Sequence, residues 1–156
     1  MGLFSKKPKA PPAPAVVMIP DPRIHFWSTA MIDIDTTYAQ NYVAARIKDW
    51  RATKTIDVFV TWARNKDGLG IYLDGKSFGE YDQAEGAGNA VLLERCIAAG
   101  GTQLVVESSI VWDVKAGPFG LRMPHYDVEQ AQSAALVTFT EYQELIEQRR
   151  LRQQAQ

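Results

Sequence analysis

Cysteine and histidine are nearly missing from this 156-residue chain: it has one cysteine, Cys96, and two histidines, His25 and His125. A lone cysteine forms no internal disulfide, which fits a reducing compartment. One Cys and two widely separated His residues also do not make a structural zinc site. Nothing in the spacing brings Cys96 to a histidine base, so no cysteine–histidine pair is legible. Charge of one sign is lacking too. Seventeen Lys and Arg stand against 18 Asp and Glu, a formal net charge of −1. Proteins that rely on phosphate contacts usually show a basic excess, so strong sequence-independent nucleic-acid binding is disfavoured, and only a local basic patch remains open. No run approaches the roughly 18 apolar residues of a membrane span. The opening Met1-Gly2-Leu3-Phe4-Ser5-Lys6-Lys7 lacks the Ser or Thr that a myristoylation signal carries at position 6. It also lacks the long apolar stretch of a secretory signal. The expectation is a cytoplasmic protein with no cofactor and no catalytic set.

What the chain does have is an ordinary globular composition, 46% hydrophobic and 22% charged, enough for one domain with its own core. Four Trp, six Tyr and six Phe supply large buried surfaces without a metal or disulfide. The expected fold is α+β: a small antiparallel, partly barrel-like sheet with a packed helix, a disordered Pro/Lys-rich N-terminal arm and a C-terminal helix. The boundaries are 1–22 for the arm, 23–139 for the domain and 140–156 for the final helix.

The centre of the chain, Thr55 to His125, reads as strand, strand, strand, helix, strand, strand. Val58, Val60 and Trp62 alternate with Asp57, Phe59 and Thr61, the period of a strand. Asn65-Lys66-Asp67-Gly68 supplies a turn, Leu69, Ile71 and Leu73 the next strand, and Asp74-Gly75 a hairpin signal before Lys76 to Tyr81. Gly86-Ala87-Gly88-Asn89 leads into a helix over Ala90 to Ala99, stopped by Gly100. Cys96 lies on its apolar face and is expected in the core. Thr102 to Val114 is the longest strand signal, and Phe119 to Met123 returns across Gly117-Pro118.

The flanks are less sharply written. Lys6, Lys7 and Lys9 sit among Pro8, Pro11, Pro12 and Pro14, a composition that nucleates neither helix nor central sheet. Val16-Val17-Met18-Ile19 is apolar enough to dock as an edge segment. Ile24 to Ile34 alternates irregularly, as a strand can. Asp35 or Thr36 fits an N-cap, and Ala39, Val43, Ile47 and Trp50 then mark one helical face. A strand through Tyr42 to Ile47 competes with that helix. After Glu129 helix formers dominate, interrupted at Val137-Thr138-Phe139-Thr140, which can also be a short strand closing the sheet. Thr140 and Gln143 have the spacing of a capping box for the last helix.

Several small patterns invite chemistry. Asp33-x-Asp35 could offer oxygen ligands to a hard cation, but no calcium-loop pattern follows, and a helix cap is the plainer reading. Gly68-x-Gly70 lies between strands, without the helix start that holds a pyrophosphate. Gly86-x-Gly88 precedes a helix but follows no parallel-sheet pattern, so a simple connection is the plainer reading there too. Trp27, Trp50, Trp62 and Trp112 could stack on bases, though tryptophans in small domains are usually core. Lys76, Lys115, Arg122 and His125 lie near turns and the last strand, where convergence would make a basic rim.

The run from Asn65 to Tyr81 resembles the central signature of HIRAN domains. Asn65 and Asp67 stand at the turn, Ile71 to Leu73 form the apolar strand, and Phe78-Gly79-Glu80-Tyr81 is similar to the glycine step before a helix, here Val91 to Gly100. Glu80 stands where the family usually has an aromatic residue. The resemblance covers at most the middle half of the chain. It implies a small barrel-like module that recognises DNA, particularly single-stranded ends. Position alone then selects Tyr72, Lys76, Tyr81, Lys115 and Arg122 as nucleic-acid-binding residues. The alternative is an adaptor that binds proteins through the Lys6–Ile19 arm or the Thr140–Gln156 helix, for example in a phage or mobile-element assembly. An enzyme ranks third.

Overall fold

The computed structural model describes residues 16–21, 29–34, 36–48, 51, 54–66, 68–113 and 117–155, without the side chains of 112, 113, 117 and 118. Most of the 1–22 arm, His25, Trp27, Asp35, Trp50 and Lys115 lie outside the described residues, as does the side chain of Trp112. The strands are β1 (Val17–Pro20), β2 (Thr29–Asp33), β3 (Thr55–Asn65), β4 (Gly68–Leu73), β5 (Lys76–Asp82), β6 (Gln103–Asp113), β7 (Gly117–Pro124) and β8 (Leu136–Thr138). The helices are α1 (Thr37–Ala45), α2 (Ala87–Ala98), α3 (Val128–Ser133) and α4 (Phe139–Gln154).

Six strands follow the order β2-β7-β6-β3-β4-β5, antiparallel throughout. The sheet curls into a half-barrel. Its two edge strands approach each other where Gly79 of β5 meets Asp33 and Ile32 of β2: a Cβ at Gly79 would lie 3.1 Å from the Asp33 carbonyl. The alternation in β3 decides which face is inside. Val58, Val60 and Trp62 are buried and join Leu69, Ile71, Leu104, Val106, Ile110, Leu121 and Met123 in one core. The Asp74-Gly75 turn has positive φ at both residues, 53° and 76°. That is the hairpin geometry whose twist matches the flanking strands.

α2 closes the concave side, with Leu92, Leu93 and Cys96 in the core. Burial pushes the Cys96 thiol above its usual range. Gly100, at φ 90°, ends the helix. The N–H of Gly101 donates to the Cys96 carbonyl and that of Gly100 to the Ile97 carbonyl, so two orphan carbonyls are satisfied. At the other end α2 lies directly on the chain leaving β7. A Cβ at Gly88 would sit 1.9 Å from the Tyr126 carbonyl oxygen. The fully buried Asn89 side chain donates to the Pro124 carbonyl at 3.1 Å and accepts from the Tyr126 N–H at 2.8 Å. The free face of Gly88 is thus filled by protein backbone, which is why glycine stands at the start of this helix.

Three boundaries sharpen the sequence reading. Thr36 is the cap of α1, accepting from the Ala39 N–H while its hydroxyl donates to the Ser77 carbonyl. The region from Thr37 to Ala45 is helix, and the competing strand is not formed. α4 begins two residues earlier than expected. Thr138, not Thr140, accepts from the N–H of Glu141, because Thr138 and Glu141 carry the same capping spacing, and Leu136–Thr138 forms β8.

Candidate functional site

β6 is longer than any one of its neighbours on one edge, and this creates a cleft. At its start Val17 and Met18 of β1 pair, in parallel, with Gln103 and Leu104. Further along, β7 pairs from Ser109 onward. Between these two ladders lie residues 105–108 of β6. Pro20 ends β1 and Pro124 ends β7, and proline has no N–H with which to extend a ladder. A cleft of about 410 Å³ opens at this gap, with Pro20, Pro124, Glu107, Arg122, Tyr142 and Arg149 among its walls.

α4 forms the other wall. It crosses the outer face of the sheet, where Tyr142 is its one buried residue among the described side chains. Tyr142, Ile146 and Arg149 follow at steps of four and three, so all three line the cleft from one helical face. The Tyr142 hydroxyl donates to Glu107 Oε2 at 3.2 Å. Burial foremost, then the Glu107 charge and that hydrogen bond, push the phenol up to about 12, with Arg149 pulling the other way. Ser109 Oγ donates to Asp57 Oδ1 at 3.0 Å. Both carboxylates of the cleft are therefore engaged by hydroxyls. Arg122 and Arg149, both exposed, have no hydrogen bond or ion pair among the described residues.

Of the five residues selected from sequence, the four that are described are not gathered into one site. Arg122, the Cα partner of Ser109, lies in the cleft. Tyr72 is half-buried on the outer face of β4, as the partner of Thr61, with two strands between it and β7. Lys76 pairs with Leu73, which puts it on the opposite side of the sheet from Tyr72, with its Nζ 5.1 Å from the Tyr38 ring centroid. Tyr81 is 5% exposed and offers no surface ring. Its hydroxyl bonds His125 Nδ1 at 2.5 Å, and burial raises its pKa. The reason is a bulge: Ile71 pairs with Gly79 and Tyr72 with Ser77, so Phe78 is the extra residue and the alternation of β5 resets around it. Lys115 lies outside the described residues. Among the described residues no basic rim assembles: Lys76 lies against Tyr38, Arg122 in the cleft and His125 against Tyr81.

The sequence reading missed Arg149 and Tyr142 as partners of Arg122. The available signal was that Arg149 continues the Tyr142–Ile146 stripe, which points a cation back toward the sheet. The described residues hold no cluster of His, Cys, Asp or Glu fit for a metal ion, and none of their helices is long and apolar enough to cross a membrane. Comparison of the chain with protein-family models, curated proteins and solved structures finds no match.

Proposed function

We propose that this protein is a non-catalytic, HIRAN-like binding module that holds single-stranded DNA or a DNA end by its phosphates in the outer-face cleft. The observation that carries the reading is the pair Arg122 and Arg149: two exposed guanidinium groups in one cleft, with no hydrogen bond or ion pair among the described residues. A guanidinium presents a planar fork of donors suited to phosphate oxygens. The nearby carboxylates each accept from a hydroxyl, which leaves the cations available. With two acids and two arginines the cleft is close to neutral, so it suits contact with one or two phosphates rather than a long backbone track.

Fluorescence anisotropy with labelled single-stranded and blunt duplex DNA, at low and moderate salt, tests this. Two phosphate contacts give a log–log salt slope of about −1.4 for a single strand. Arg122→Glu with Arg149→Glu should abolish binding. No binding by the unaltered protein at low salt would refute the reading.

A protein-binding adaptor is the second reading, and one observation favours it. Two apolar residues of α4 stay largely in solvent, Ile146 at 38% and Leu151 at 52% exposure. An interface built on those apolar groups would hold its affinity as salt rises, and loss of residues 150–156 would weaken it.

A further inference from the structure

Phe59 is the other unusual feature of the outer face. It stands in the middle of β3, yet 43% of its surface remains in solvent, whereas phenylalanine is among the residues most often buried. It is not loose. Its ring meets Phe139 at 5.7 Å and 89° and Tyr142 at 6.0 Å and 85°, and those two rings stack at 5.8 Å and 18°. Edge-to-face packing of this kind fixes a ring. Both partners belong to the first turns of α4, whose start is fixed by the Thr138 cap. An exposed aromatic surface held in place loses little entropy when a ligand stacks on it.

Tyr142 belongs to both features: it touches Phe59 and it lines the arginine cleft. Phe59 pairs with Glu107, and Arg122 with Ser109, two residues further along β6. Strand spacings of about 4.8 Å and a rise of about 3.3 Å per residue put the Phe59 and Arg122 Cα atoms about 12 Å apart. A short run of nucleotides spans that distance.

We infer that Phe59, steadied by Phe139 and Tyr142, is a stacking platform for an unpaired base of the strand whose phosphates Arg122 and Arg149 hold. This rests on the nucleic-acid reading of the cleft and adds what the arginines do not supply, a choice of single strand over duplex. A base inside a duplex already has both faces covered by its neighbours. An unpaired base has a free face, and stacking on an aromatic ring tolerates any sequence. Stacking also explains how a cleft of balanced charge can hold a strand, because that contribution does not depend on counterion release.

The test is anisotropy with three labelled probes: a short oligothymidylate, its abasic counterpart and a blunt duplex. The oligothymidylate should bind about tenfold more tightly than the abasic strand. Phe59→Ala should lose that tenfold and leave abasic binding unchanged. Phe59→Leu keeps an apolar side chain against Phe139 and Tyr142, and should lose the base-dependent part in the same way. Arg149→Glu should weaken both single strands alike. Equal affinity for the abasic strand and the oligothymidylate, or Phe59 variants that keep the difference, would overturn the platform while salt-sensitive binding left the cleft standing. Failure of all three probes to bind the unaltered protein would overturn both, and would favour a protein ligand for this face.

Discussion

The two faces of the half-barrel are built by different rules. On the concave side, α2 lies against backbone: Gly88 leaves no room for a Cβ, and Asn89 satisfies two main-chain groups from a fully buried position. On the convex side, α4 rests on a few aromatic contacts, and two arginines line a cleft without forming an ion pair among the described residues. The contrast separates the side that holds the fold together from the side that is left exposed. The concave side fixes the fold, and the convex side leaves polar and aromatic groups exposed, where the proposed ligand would sit.

The largest effects of substitution should fall on the concave side. Gly88→Ala forces a methyl group into the Tyr126 carbonyl, and urea unfolding should show a loss of about 3 kcal/mol or more. Asn89→Ala strands a buried carbonyl and a buried N–H, and should cost about 2–4 kcal/mol. If either variant unfolds at the same urea midpoint as the unaltered protein, the contact of α2 with the chain after β7 does not stabilise the fold.

The convex side should respond less. Tyr142→Phe removes one hydrogen bond to an exposed carboxylate and should cost about 1 kcal/mol or less at neutral pH. Its clearer signature lies at alkaline pH. The phenol is pushed up from 10.0 to about 12 in the folded protein. A raised pKa means that the folded state favours the protonated form. That stabilisation is fully present below about pH 10 and is lost as pH climbs toward 12. Thermal melts from about pH 9 upward should therefore fall less steeply for Tyr142→Phe than for the unaltered protein. An unchanged slope would show that Tyr142 is not held by burial and Glu107. Smallest of all, deletion of residues 150–156 should leave the melting temperature unchanged, since every residue of that segment that is described is exposed. A clear drop would mean that the end of α4 packs on something.

The same contrast explains what the sequence could say. The strand–strand–strand–helix–strand–strand order of the middle was legible because alternation, the Asp74-Gly75 turn and the Gly100 stop are all local signals. β1 and β8 were readable as apolar segments, but their pairing, β1 with the start of β6 and β8 with β1, joins residues far apart in the chain. The Phe78 bulge hid the direction of Tyr81, because one extra residue reverses a period of two. Arg122 was selected from its place on a strand, and it lines the cleft. Arg149 was not selected, since its neighbour in space is fixed only by how α4 crosses the sheet. Phe59 looked like an ordinary outer-face strand residue, and what packs against its ring is two aromatic side chains on a helix at the far end of the chain.

The most decisive measurement follows amide chemical shifts while a short single-stranded oligonucleotide is titrated into isotope-labelled protein. Shifts should appear on the convex side, at Asp57 to Phe59, Glu107 to Ser109, Arg122 and the α4 residues from Phe139 to Arg149, with α2 silent. Shifts centred on α2 or on the Tyr81–His125 contact, with the convex side unmoved, would contradict a ligand site between Phe59 and the two arginines.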